Sequence, residues 1–193
     1  MAYFRCSGES GPNVTIDGKS YDDDLSLVSK NAIIINTLPF PFYGGGSVVY
    51  NNEIHIIGGY GGNYHYKYNG KGWTQVSTMP SRDFVQGTAL VYNNEIHIIG
   101  ALNSSNYHYK YNGSSWSQAS TNSRCFGYSK SVVYNNEIHV LGGMYDDTET
   151  LHHKWNGSSW SQVSTLPIST GLRKAFVYNN EIVAVFYNNS RDR

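Results

Sequence analysis

The chain has 193 residues, with 14 basic side chains balanced by 14 acidic ones and no block of like charge. A chain without a basic stripe cannot neutralise phosphates, so the composition argues against nucleic-acid binding and against adhesion to anionic lipid. Seventeen Tyr and 20 Gly, with charged residues at only 15%, describe a surface that makes contacts through aromatic faces and neutral hydrogen bonds.

Along the chain, Met1 to Cys6 carries no apolar core of a leader, and no apolar run approaches the roughly 18 residues of a membrane span. The expectation is synthesis in the cytoplasm without a signal peptide, and no membrane partner. Cys6 and Cys125 are too few for a disulfide framework, lack metal-ligand spacing and read as free thiols. Residues 1–31 are expected to form an N-terminal segment, either a docking arm or a strand of a closing unit. Within it, Val14 to Tyr21 reads as one strand, and Asp22-Asp23-Asp24 as loop acids rather than a calcium site. Ile33 to Pro39 aligns with Thr74 to Pro80 and reads as an orphan outermost strand.

From residue 32 onward the chain repeats itself. Tyr-Asn-Asn-Glu-Ile-His-Ile-Ile begins at Tyr50 and recurs at Tyr92, at Tyr134 and, worn, at Tyr178, so the copies begin 42, 42 and 44 residues apart. Such a period marks a repeat architecture. In the first copy, Ser47 to Tyr50 and Glu53 to Ile57 read as strands a and b joined by Asn51-Asn52, residues that tolerate the positive φ of a two-residue hairpin. Gly58-Gly59 ends strand b where a side chain has no room or φ is positive. Tyr64 to Tyr68 reads as strand c, Asn69 to Gly72 as a tight connection and Trp73 to Val76 as strand d; Pro80 closes the unit. The second copy departs at Gly100-Ala101, where either the turn differs or Ala bears a cost of about 1 kcal/mol. The fourth has Phe186-Tyr187 there.

Four antiparallel strands per 40 to 50 residues predict an all-β propeller. An apolar strand, a double Gly, then a spaced Tyr and Trp in register resemble the kelch motif over about residues 32 to 187. That resemblance implies a kelch-type β-propeller over 32–193. Complete units fall at about 47–80, 89–122 and 131–167, and Ala175 to Tyr187 supplies only strands a and b. The reading is four blades, one shared between the N- and C-terminal strands, because closure removes unpaired edges. The competing reading leaves 1–31 as a separate arm and completes a larger ring from two chains.

The a–b and c–d turns share one face of the disc and hardly vary, while the b–c and d–a loops of the other face vary freely. Variable loops on a rigid scaffold are where recognition concentrates. The candidate ligand-binding residues are Tyr43, Tyr60, Arg82, Phe84, Arg124, Phe126, Tyr145 and Arg173, with the aromatics expected around one mouth of the channel. Arg82 and Arg124 align and resemble an Arg frequent in kelch loops; each either braces its loop or offers a guanidinium fork to an acidic group. His55, His97 and His139 read as a duplicated strand position rather than a metal ring, and His65, His108 and His152 likewise, since no carboxylate or thiolate recurs at ligand spacing. Trp73, Trp116 and Trp160 read as inter-blade packing.

No nucleophile elbow, phosphate loop or repeated carboxylate pair is present, so no catalytic residue, metal or cofactor is expected. The near-identical Tyr/Asn/Ser-rich copies resemble repeats of phage tail-associated and bacterial surface proteins. This resemblance implies a non-catalytic recognition module of a virion, docked through residues 1–31 and binding a host-surface glycan or protein. The alternatives are an intracellular kelch adaptor with a protein partner and a sugar-processing propeller enzyme.

Overall fold

The computed structural model describes residues 14–16, 19–21, 37–80, 82, 84–101, 107–120, 126–143, 150–167 and 172–186. The chain divides into two compact units, Met1–Thr37 and Leu38–Arg193. In the first, β1 (Val14–Ile16) pairs antiparallel with β2 (Lys19–Tyr21). The stretch expected as one strand is therefore a hairpin, in keeping with the Asp17-Gly18 dipeptide between its arms. Residues 33–36 lie outside the described residues, and Thr37 to Pro39 has no strand pairing.

The second unit is built from one repeated element. Blade 1 is β3 (Gly46–Tyr50), β4 (Glu53–Ile57), β5 (His65–Tyr68) and β6 (Trp73–Gln75). Blade 2 is β7 (Thr88–Tyr92), β8 (Glu95–Ile99), β9 (His108–Tyr111) and β10 (Trp116–Gln118). Blade 3 is β11 (Lys130–Tyr134), β12 (Glu137–Leu141), β13 (Leu151–Trp155) and β14 (Trp160–Thr165). Each is a four-stranded antiparallel meander, and β15 (Leu172–Tyr178) with β16 (Glu181–Phe186) forms a two-stranded sheet in the fourth position. The first strand of each blade packs beside the first strand of the next. All described elements are strands, and the fold is a four-blade, propeller-like array.

Local chemistry fixes the meander. Both Asn residues of every a–b turn have positive φ, 49° and 61° at Asn51 and Asn52 and 47° and 59° at Asn179 and Asn180, the geometry that matches the right-handed twist of paired strands. In the c–d turns, Asn69, Asn112 and Asn156 each accept two backbone N–H groups on their side-chain oxygen. These Asn residues recur because they replace backbone hydrogen bonds that the turn cannot make.

The core lies between blades. Tyr50 and Ile57 of blade 1 pack with Ile96, Ile98 and Tyr111 of blade 2, and Tyr92 and Ile99 of blade 2 pack with Ile138, Val140 and Trp155 of blade 3. At each joint a Tyr hydroxyl crosses to the next hairpin: Tyr50 donates to the Asn94 carbonyl, Tyr92 to Asn136 and Tyr134 to Asn180, at 3.0, 2.9 and 2.9 Å. Gly58 satisfies both expectations, since its φ is +73° and a Cβ there would lie 2.7 Å from Phe84. Ala101, in the second copy, does not have positive φ, so the turn itself differs.

Candidate functional site

The variable face is held together by backbone hydrogen bonds. Gln86 N donates to the Gly44 carbonyl at 2.7 Å and Tyr128 N to the Gln86 carbonyl at 2.6 Å, so the second and third d–a connections are each tied to the one before. Gly59 N donates to the Phe84 carbonyl and Tyr60 N to the Tyr43 carbonyl, both at 3.0 Å. Tyr43 and Tyr60 thus stand on neighbouring braced loops, 68% and 75% exposed, and Arg82 is exposed two residues before Phe84.

The other candidates fare differently. Phe84 and Phe126 are each 1% exposed and cannot offer a ring to a ligand. They are wedges: Phe84 lies over Gly58 of the preceding blade, and a Cβ on Gly100 would meet Phe126 at 2.7 Å. Their apolar area is worth more between blades than in water, which overrides their position in a variable loop. Arg173 is exposed but belongs to β15 rather than to a loop, and is the extra residue of a bulge, since Leu172 pairs with Phe186 and Lys174 with Val185. Arg124 and Tyr145 lie outside the described residues.

On the opposite face a cavity of about 370 Å³ opens between blades 2 and 3, lined by Tyr92, Glu95, His97, Lys110, Trp155 and Ser158 among others. Lys110 Nζ sits 2.9 Å from Glu95 Oε2, a pairing repeated by Lys67 with Glu53 and by Lys154 with Glu137. Each Glu is therefore engaged by an ammonium group.

Sequence reasoning missed what the two sets of histidines do together. His55 Nδ1 lies 2.8 Å from His65 Nε2, His97 Nδ1 2.8 Å from His108 Nε2, and His139 Nδ1 2.8 Å from His152 Nε2. Trp116 Nε1, which can only donate, reaches His65 Nδ1 at 3.3 Å from the next blade. His65 then carries its proton on Nε2 and donates to His55. Two neutral rings suit this arrangement, and burial, joined by the charge of the paired ring, pushes His65 and His108 down to about 3. His97 falls to about 4 through burial, and His152 to about 4 through burial and its neighbour His139. The signal was available as a His in strand b matched by a His at the start of strand c in three copies, with Val183 at the strand-b position of the fourth. Trp116 and Trp160 bridge blades as expected: Trp160 stands over His108 with ring centres 5.3 Å apart.

No protein-family model and no curated protein matches the chain. Among solved structures, that of YjhT is similar, with a TM-score of 0.61 and 20% identity over 71% of this chain and 55% of that one. The chain thus spans little more than half the length of YjhT. At that identity the likeness concerns the fold alone, and it agrees with an all-β, propeller-like architecture.

Proposed function

We propose that the chain is a non-catalytic recognition module of kelch type, associated with a phage tail or virion, whose b–c and d–a loops bind a host-surface glycan. The observation that carries this reading is the exposed pair Tyr43 and Tyr60, joined backbone to backbone at 3.0 Å on loops anchored by the buried Phe84. Aromatic side chains held in place without being buried lose little entropy on binding and present apolar faces beside polar hydroxyls. Arg82, on the adjoining connection, adds a planar donor for a carboxylate or hydroxyl pair. Kelch-type repetition and the phage-like Tyr/Asn/Ser-rich copies supply the biological setting of the proposal.

A glycan array probed with wild type, Tyr60→Ala, Tyr43→Ala and Arg82→Ala tests it. The expected result is selective glycan binding that weakens by about 1–3 kcal/mol in the Tyr variants, with melting temperatures unchanged. Binding that survives all three substitutions would move the site elsewhere. Capture of a cytosolic protein with no glycan signal would favour the adaptor reading instead.

A further inference from the structure

The two ends of the array present faces that are buried at every internal joint. On the leading side of blade 4, Tyr178 is fourth in the series Tyr50, Tyr92, Tyr134, yet it is 66% exposed, and among the described residues no hairpin carbonyl meets it. Around it Phe176, Val183 and Val185 are exposed, whereas their counterparts Leu90, His97 and Ile99 in blade 2 are buried. Among the described residues, the trailing side of blade 1 shows the matching vacancy. Gly113 and Gly157 face the Tyr50 and Tyr92 hydroxyls of the preceding blade, with a Cβ 3.2 and 3.5 Å away, but Gly70, their counterpart, faces nothing within 4 Å. Val49 is 68% exposed there. Gly44 N, in the position from which Gln86 and Tyr128 donate to a preceding loop, has no such acceptor among the described residues.

We propose that two copies of this chain join head to tail, the leading face of blade 4 in each seating on the trailing face of blade 1 in the other. The repeat makes these faces complementary by descent: each is one half of a joint that the chain already builds three times. A heterologous contact of this kind closes into a ring or runs on as a filament, depending on the rotation it imposes. Blade 4 has also been adapted to its own joint. Val183 stands where blades 1 to 3 carry the paired His, so this contact does not bury that ring, and Phe186 stands where they carry the Gly that admits a Phe wedge.

The test uses the 193-residue chain with Cys6→Ser and Cys125→Ser, so that added thiols are the only ones. Lys71 follows Gly70 as Ser158 follows Gly157, and Ser158 lines the cavity beside Tyr92. Lys71→Cys and Tyr178→Cys therefore report the joint through a short bismaleimide, which spans more than a disulfide can. Expected are a dimer mass by sedimentation equilibrium for the wild type and a covalent dimer for the double-Cys chain. Each single-Cys chain should stay monomeric on a denaturing gel. Four results would overturn the proposal: no cross-link; a cross-linked monomer, meaning closure within one chain; a dimer from Tyr178→Cys alone, meaning blade 4 against blade 4; or a ladder of larger species. As a second arm, Phe176→Asp with Val185→Asp should give a monomer with an unchanged far-UV spectrum, and a dimer that persists in this variant would equally overturn it.

Discussion

Blades 2 and 4 begin with nearly the same hairpin and meet different fates. Tyr92, His97 and Ile99 are 4%, 2% and 0% exposed, and their counterparts Tyr178, Val183 and Val185 are 66%, 36% and 45% exposed. Strand pairing near the turn does not differ: β15 and β16 pair from Tyr178 and Glu181 to Lys174 and Val185 around the same Asn-Asn turn, and only beyond that does the Arg173 bulge set them apart. The hairpin is therefore a local product of β-branched strands and a positive-φ turn, while the core is made only when a neighbouring blade arrives. Polarity follows burial. Where strand c supplies a second ring, strand b keeps a His; in the fourth copy, where no strand c is seen among the described residues, the position is Val.

The largest expected difference is in acid. In the folded blades 1 to 3, burial holds His65 and His108 at about 3 and His97 and His152 at about 4, whereas the unfolded chain titrates near 6.5. Between those values the unfolded chain binds protons that the folded chain refuses. Stability is thus fully present above pH 6.5 and lost as pH falls toward 4, by up to about 1.4 kcal/mol per pH unit for each ring held neutral. Urea unfolding at pH 7.5 and pH 5.0 measures this, and equal midpoints would show that the histidines accept protons inside the blades. Blade 4, with Val183, contributes nothing to the effect.

Next in size is the wedge. Phe84→Ala removes a ring that is 1% exposed between two blades and should cost about 3–5 kcal/mol, by chemical denaturation. Phe176→Ala removes one that is half exposed; in dilute protein its cost should stay below about 1 kcal/mol. Similar losses from both would mean that the outer face of blade 4 is covered within the chain.

How much of this was legible depends on whether a feature is local. The period, the Asn-Asn turns and the four-strand meander were readable, because each rests on residues within a few positions of one another. Phe84 and Phe126 were misread because a d–a loop is local evidence for exposure, while their burial depends on Gly58 and Gly100, each 26 residues earlier in the chain. The histidine pairs escaped for the same reason as the wedges: strands b and c were each read alone, and the contact lies across them.

A smaller and cleaner comparison uses glycine. Gly58→Ala meets both obstacles, a φ of +73° and a Cβ 2.7 Å from Phe84, so Phe84 or the turn must shift. Gly70→Ala, at φ +90° with open space around it, bears backbone strain alone, on the order of 1 kcal/mol. Thermal melts of the two should differ clearly. Equal losses would indicate that Phe84 does not press on Gly58.

The smallest effect separates the two hairpins by a single oxygen. Tyr92→Phe deletes a hydroxyl that crosses to the Asn136 carbonyl at 2.9 Å beside a 4% exposed ring. It leaves that carbonyl without its donor, at a cost of about 0.5–1.5 kcal/mol. Tyr178→Phe deletes the same atom where solvent already hydrates it, so unfolding of dilute protein should show no change. At concentrations where a second copy occupies the face, however, the Tyr178 hydroxyl gains a hairpin carbonyl, and the same substitution should then weaken association by a similar amount. Unfolding midpoints for wild type and both variants, measured over a concentration series, decide the matter. A Tyr92→Phe penalty independent of concentration beside a Tyr178→Phe penalty that appears only as concentration rises marks one joint as internal to the chain and the other as between chains. A Tyr178→Phe penalty that is constant from the most dilute sample upward would place its acceptor in the same molecule.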